Sequence, residues 1–520
     1  MKNKLLYIIL PLCLTCGCNA FLDEEPDNRA KVETPGDLQE LLVNAYPQAT
    51  YHLICEMMSD NVKDRGFGED CVTAVTDDEM YNWREGTDSD YDSPFALWSG
   101  LYEGISSANY AIRVIESKPD WENYRPMLGE ALLCRAFNHF LLVNLWAEHY
   151  DPATAATALG IPYVTEPETV AVKEYTRNTV EETYRLMEED IRRGIQMIDD
   201  RVYEQPKFHF TKRAAHAFAT RFYAYKGNEW EKVLYHSLQA APEDFRTEIR
   251  NVVQDYSIET PLGYAQAYTD PGQSTILLSV CVPTYYNEVY ARCPITDSRY
   301  VLTPALQSEI FSQRFHSGTW RYRIEGLTGT TVAHMLKNYA YFKSISATSS
   351  TGMTYVNVPM LTVEDVVLNR MEAYVMLGDT VRFLRDMNRF LPSRTFNYNA
   401  SLYTVSMRGG SNTNSLVDYF GEAVWQDQLL EPHYKAELEA DECKMAGMMA
   451  VVFMRRREFM QEGMRWFDIK RFHLPVTHYR HWERDYITLG RYDGRRMLQI
   501  PQEAQKVGVQ PNQRDIQNAE

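Results

Sequence analysis

The 520-residue sequence is short of positive charge, of cysteine and of long apolar runs, and each shortage removes a class of function. Lys and Arg number 53 against 71 Asp and Glu, for a formal net charge of −18. Affinity for nucleic acid rests on basic side chains that neutralise phosphates, so this balance argues against a nucleic-acid partner. Of nine cysteines, Cys13, Cys16 and Cys18 crowd near the start. The other six, Cys55, Cys71, Cys134, Cys281, Cys293 and Cys443, form no CxxC pair, so neither a zinc site nor a dithiol redox motif is indicated. Cys281 and Cys293 are near enough in sequence to close a loop as a disulfide; the rest read as small buried hydrophobes. After residue 14 no segment approaches the roughly 18 uninterrupted apolar residues of a membrane-spanning helix. No HExxH or GxSxG occurs, and GFGED at 66–70 lacks the third Gly and the Lys of a phosphate loop. No cofactor is expected.

What is present starts with an export signal over residues 1–17. Lys2 and Lys4 precede an apolar run from Leu5 to Leu14 that is too short to span a bilayer. The stretch LTCGCNAFLDEEP at 14–26 resembles a bacterial lipoprotein box, with Cys18 the residue expected to be lipidated and Cys16 a competitor. An ordinary cleaved signal peptide is the alternative. Asp23, Glu24 and Glu25 are similar to the surface-export tag of Bacteroidetes lipoproteins, and residues 18–30 would form the tether.

Helical periodicity dominates the remainder. Trp98, Tyr102, Ile105, Asn109 and Ile112 recur on one helix face, as do Leu133, Ala136, Phe137, Phe140, Leu141 and Asn144, and 177–198 reads as an amphipathic helix. Residues 207–241 read as two helices broken at Gly227-Asn228, and 367–391 as a second hairpin of the same kind broken at Gly378-Asp379. Each has tetratricopeptide character, although a large insertion separates them. Residues 250–360 are rich in Tyr, Thr, Ser, Pro and Gly and read as loops and short strands. The expectation is a mostly α fold of tetratricopeptide-like helix pairs supporting an irregular, loop-rich lobe. Its regions are a helical part at 31–245, a loop-rich insertion at 246–360 and a second helical part at 361–520.

At 455–472 stands RRREFMQEGMRWFDIKRF. Read as one helix, it puts Phe459 and Trp466 on one face, pairs Glu462 with Arg465 and Arg465 with Asp468, and leaves Gly463 inside the helix to admit a close neighbour. With the start at Cys18 to Pro26, the SDN at 59–61, the helix from Trp98, EALLCRAF at 130–137 and the tail at 498–518, this motif resembles the SusD/RagB family of outer-membrane lipoproteins. The resemblance implies a non-catalytic receptor that caps a SusC-type TonB-dependent transporter and delivers a captured glycan, or in some relatives a peptide, into it. The motif itself reads as structural.

A sugar receptor needs flat aromatic faces beside polar side chains, and 35 Tyr with 9 Trp supply them. Two loop-like stretches carry the candidate binding residues: Tyr81, Trp83 and Tyr91 with Arg84, Asp88 and Asp90, then Tyr285, Tyr286, Asn287, Tyr290, Trp320 and Tyr322 with Arg292 and Tyr300. Trp98, Trp146 and Trp466 are expected in the core instead. Asp88, Asp90 and Asp92 have alternate-carboxylate spacing but lack the Gly and Glu of a calcium loop, and a solvated acidic loop is the plainer reading. His473, His478 and His481 form no recognised metal motif. Neither a catalytic residue nor a metal ligand is assigned. A peptide-binding scaffold, a surface hydrolase and a purely structural adhesin are the other readings.

Overall fold

Helices begin where capping side chains and apolar periodicity coincide. In the computed structural model the described residues are 34–514, apart from 67–73, 168–172, 285–298, 314, 326–332, 345, 347–348, 350, 402–403 and 410–412. They form eighteen α-helices and thirteen strands, most of the strands two or three residues long. Thr179, Thr211, Thr362 and Asp379 each accept a backbone N–H from the turn they open, starting helices Val180–Met197, Lys212–Lys226, Val363–Met376 and Thr380–Phe390. Such a cap contributes about 1 kcal/mol.

Both expected hairpins are present. Lys212–Lys226 folds back on Trp230–Ala240, and Val363–Met376 on Thr380–Phe390. Gly227 (φ 69°) and Gly378 (φ 74°) take the left-handed conformation that ends the first helix of each pair. At Gly227 a Cβ would also lie 2.9 Å from ring atoms of His433 and Tyr434. Helices Pro94–Glu116, Arg125–Trp146 and Val180–Met197 stack ahead of the first hairpin, and Val363–Met376 joins it to the second and to Glu442–Glu458. The result is mostly α. No helix among the described residues is long and apolar enough to cross a membrane.

Arg125–Trp146 differs from the one-sided burial its pattern suggests, because every residue from Met127 to Trp146 is buried. Polar groups survive there by pairing: Arg135 grips Asp190 through two 2.8 Å bonds, His209 meets Glu130 at 2.7 Å, and Asn138 donates to Ala45 O. The irregular lobe holds an antiparallel sheet in the order Ile276–Pro283, Gly352–Thr362, Ala340–Ser344. It also holds two helices that periodicity did not reveal, Pro261–Thr269 and Pro304–Ser312. Each follows a Thr-Pro pair in which Thr caps and Pro occupies the first turn. Cys281 carries a free thiol, and Cys293 lies outside the described residues.

The segment 455–472 is two helices rather than one. Glu442–Glu458 ends at Phe459, the chain turns through Gln461 (φ 62°) and Gly463 (φ 70°), and Met464–Arg471 begins. Gly463 does admit a close neighbour: a Cβ there would sit 3.0 Å from His52 Cα and 3.1 Å from Cys55 Cβ, in the helix His52–Met57. The break redirects the charged side chains, so the local pairs expected for one helix do not form. Arg465 binds both oxygens of Asp60 at 2.8 Å, Glu462 accepts from Lys337 (2.7 Å) and Tyr268 Oη (2.6 Å), and Asp468 accepts from Arg455 at 3.0 Å.

These are members of a larger buried network. Arg455 reaches Asp365 (3.2 Å), which also holds Arg221 (2.9 Å); Arg471 pairs with Glu372; Arg394 bridges Glu458 (2.8 Å) and Glu364 (2.9 Å). Lys470 donates to Asn144 O (2.6 Å) and Ala147 O (2.7 Å), and burial pushes its ammonium down to about 7. Removing one partner of a buried pair leaves the other charge stranded, which costs about 3–5 kcal/mol. Arg394→Met is therefore expected to lower unfolding free energy by about that amount in chemical denaturation, because it strands Glu458 beside Glu364.

Candidate functional site

Four of the rings expected to serve as platforms are interior. Tyr81, Trp83, Trp320 and Tyr322 are at most 2% exposed and cannot present a face to a ligand. Trp83 is turned inward by a left-handed backbone (φ 50°) just after helix Val75–Tyr81, and its indole N–H donates to Met58 O at 2.9 Å. Trp320 packs near Phe390 and His316, and Tyr322 lies under Lys337 Nζ, 4.3 Å from the ring centre. Trp98, Trp146 and Trp466 are buried as expected. Tyr91 is exposed, whereas Tyr285, Tyr286, Asn287, Tyr290 and Arg292 lie outside the described residues.

Tyr81 and Trp83 belong to a stack that ends at the surface. Trp83 lies 4.4 Å from His478, His478 4.1 Å from Tyr81, and Tyr81 4.1 Å from Tyr300, with interplanar angles of 16°, 11° and 21°. The Arg299 guanidinium continues the series, 5.1 Å from the Tyr300 ring and 4.2 Å from that of Trp482. Arg299 is fixed by two bonds to Asp64 (2.9 and 2.6 Å), and the His481 N–H donates to the same carboxylate at 2.8 Å. Tyr81 Oη accepts from Asp64 N and donates to Tyr479 O. Four segments distant in sequence thus converge beneath one ring.

That ring is 57% exposed. Trp482 sits at the turn of the hairpin Val476–Arg480 and Asp485–Leu489, where Tyr479 faces Tyr486 across the strands with ring centres 4.9 Å apart. Val476, His478 and Leu489 point inward on this hairpin, leaving Tyr479 and Tyr486 on the outer side. Polar groups border the Trp482 end. Glu483 lies 3.8 Å from Arg299, and Asp78 accepts from Arg84 and from Tyr300 Oη. Thr284 and Arg299 flank residues 285–298. Thr284 donates to both oxygens of Asp92, next to Tyr91, and Arg299 supports Trp482. An exposed indole on a fixed cation, with carboxylates and a guanidinium at its edge, suits a ligand with one flat apolar face and many hydroxyls.

Comparison with known proteins agrees with the motif at 455–472. Residues 20–224 match a SusD-like family model described as starch-binding and associating with the outer membrane. The fold matches a SusD superfamily protein from Bacteroides thetaiotaomicron at TM-score 0.63 and 18% identity, covering 93% of this chain and 100% of that one. It also matches a SusD superfamily protein from Bacteroides fragilis (TM-score 0.62, 18% identity, 92% and 98% covered) and a SusD-like carbohydrate binding protein from Bacteroides vulgatus (TM-score 0.57, 12% identity, 91% and 96% covered). No functionally curated protein matches the sequence. The chain has the SusD-like fold, and over residues 20–224 its sequence resembles that family. In this SusD-like fold the signal that could have found Trp482 is THYRHWERDYITL at 477–489, an alternating strand, a polar turn and a second strand with the aromatics outward.

The histidines and aspartates of the region hold structure. The two nitrogens of His478 face Tyr81 O (2.7 Å) and Ser59 O (2.9 Å), which leaves neither open to a metal. Asp88 accepts from Thr76 and from the Asp90 N–H, and Asp92 from Thr284. Asp77, buried beside them, has one carboxylate oxygen with no hydrogen-bond partner among the described residues. Burial, then the charges of Asp92 and Asp88, push its carboxyl up to about 7. A raised folded-state pKa makes the native protein hold a proton that the unfolded chain releases. Stability from this group is thus present at low pH and lost as pH rises from about 4 to about 7. Thermal melts across that window are expected to show Asp77→Asn gaining on the parent as pH rises, with a constant gap above it. Trp83→Ala is expected to cost about 3–5 kcal/mol of stability, measured by denaturant titration, because it hollows the stack.

Proposed function

We propose that this protein of SusD-like fold is a SusD/RagB-type, non-catalytic glycan receptor of the outer membrane, anchored through lipidated Cys18 and exposed at the cell surface. It captures oligosaccharide and hands it to a SusC-type TonB-dependent transporter. The match of residues 20–224 to a family model described as starch-binding and associating with the outer membrane supports carbohydrate as ligand and the outer membrane as location. The observation that carries the reading on this chain is Trp482, a large exposed ring held rigid from beneath by Arg299 and offered beside Tyr479 and Tyr486. A pre-positioned indole loses little entropy when a pyranose face settles on it, and one such contact contributes on the order of 1 kcal/mol. Two or three contacts place the affinity between roughly millimolar and micromolar, which suits capture followed by release.

Calorimetric titration with neutral oligosaccharides, starch fragments among them, alongside a peptide library tests the reading. The expected outcome is glycan binding that weakens about tenfold in Trp482→Ala, with the melting temperature unchanged because the ring is largely outside the core. Binding of peptides with no response to glycans would replace the receptor's substrate class.

A further inference from the structure

A second concavity lies far from the Trp482 hairpin in sequence, between helix Pro304–Ser312, helix Glu442–Glu458 and the start of Met464–Arg471, with a volume of about 170 Å³. Pockets for drug-sized ligands run to roughly 300–1,000 Å³, so this one is sized for a single ring rather than a chain. Its wall is aromatic. Phe420, Trp425 and Phe453 meet edge to face or tilted, with ring centres 5.2 to 6.0 Å apart. Arg456, Arg465, Asp60 and Glu309 supply the charge, and Gln313 and Gln428 the amides.

The cationic side is incompletely used. Arg465 gives Nε and Nη2 to the two Asp60 oxygens, at 2.8 Å each. Arg456 gives Nε to Asn61 Oδ1 (3.0 Å) and Nη2 to Asp60 O (2.9 Å), with Asp60 Oδ2 at 3.2 Å. In both, Nη1 takes no part in these bonds although both residues line the concavity. Next to them Arg457 lies 3.8 Å above the Phe453 ring and donates to the carbonyls of Ile310 and Gln313, which carry no charge. Burial raises the Asp60 carboxyl and its two guanidiniums pull it well below its ordinary range, so it stays ionised. The two lining guanidiniums balance Asp60 and Glu309 in charge, and their two Nη1 atoms are the donors left outside these bonds beside a hole the size of one sugar ring.

We infer that this concavity binds a single hexuronic acid residue, its carboxylate on Nη1 of Arg456 and Arg465, its ring against Trp425 and its hydroxyls on Gln313, Gln428 and Glu309. Guanidinium forks match planar carboxylates, and an ionised acceptor roughly doubles the strength of a hydrogen bond. Glu309 turns from an obstacle to an anion into an acceptor for hydroxyls once the ligand is a sugar acid rather than a bare ion. The site neither requires the Trp482 surface nor includes it.

The test titrates the full chain with D-glucuronate, D-glucose and acetate, followed by calorimetry and tryptophan fluorescence. Glucuronate is expected to bind in roughly the millimolar range, with glucose and acetate each about tenfold weaker or more, the scale of one lost charge-assisted bond. Arg456→Gln is expected to abolish the glucuronate response, and Gln428→Ala, an exposed change that spares the ion pairs, to weaken it several-fold. Trp482→Ala is expected to leave it unchanged while weakening neutral oligosaccharide, so the two sites fail or stand separately. Silence toward glucuronate overturns the inference. So does acetate binding as well as glucuronate, or glucuronate binding that both Gln428→Ala and a folded Arg456→Gln leave intact.

Discussion

The molecule depends on charges buried where water cannot reach them. Arg455, Arg394, Arg471, Arg221 and Lys337 lie inside the protein, and each is tied to a carboxylate on a different piece of chain: Asp468, Glu458, Glu372, Asp365 and Glu462. Ion pairs of this kind gain little net free energy over packed hydrocarbon, because dehydrating both partners offsets most of their attraction. What they impose is discrimination. A helix slid by one residue, or a lobe docked at another angle, would strand several charges together, and the turn at Gln461 to Gly463 aims Gln461 and Glu462 at residues 333–337 and Arg465 at Asp60. Stacked helix pairs and an irregular lobe share few ordinary secondary-structure contacts, so a network of specific crossings gives them one mutual orientation.

From that fixed frame the surface inherits its rigidity. The hairpin bearing Trp482 stands on stacked rings whose lower members are sealed in, and Arg299 transmits that support through Asp64 to the exposed indole. The second concavity borrows from the network directly, since Arg465 and Arg456 converge on Asp60 and keep one guanidinium nitrogen each outside the pairing. The second concavity is therefore part of the scaffold's charge system, while the Trp482 hairpin rests on its own Arg299–Asp64 pair.

Much of the fold was legible because its signals are local. Thr caps, the glycines ending each hairpin and the 3.6-residue periodicity act within a turn or two, and the hairpins at 207–241 and 367–391 appear where they point. The Thr-Pro starts at 260 and 303 were legible too, but lay in a stretch whose composition suggested loops. Charge pairing was misread because Glu462, Arg465 and Asp468 have helical spacing while the left-handed Gly463 removes the helix they would share. The binding rings were harder. Tyr81 and Trp83 sit beside polar turn residues exactly as surface platforms would, and only partners some 220 and 400 positions away, Tyr300 and His478, take them into the interior. Exposure is settled by long-range neighbours, and spacing along the chain does not encode them.

The interior charge web also bears on how such a chain can drift. An exchange at Arg394 or Asp365 withdraws a partner from two counter-ions at a time, because each bridges two others. Viable replacements in this region must therefore arrive as matched sets, whereas the outward rings and amides answer to no internal creditor and can vary singly. A scaffold built this way can vary its surface without rebuilding its interior.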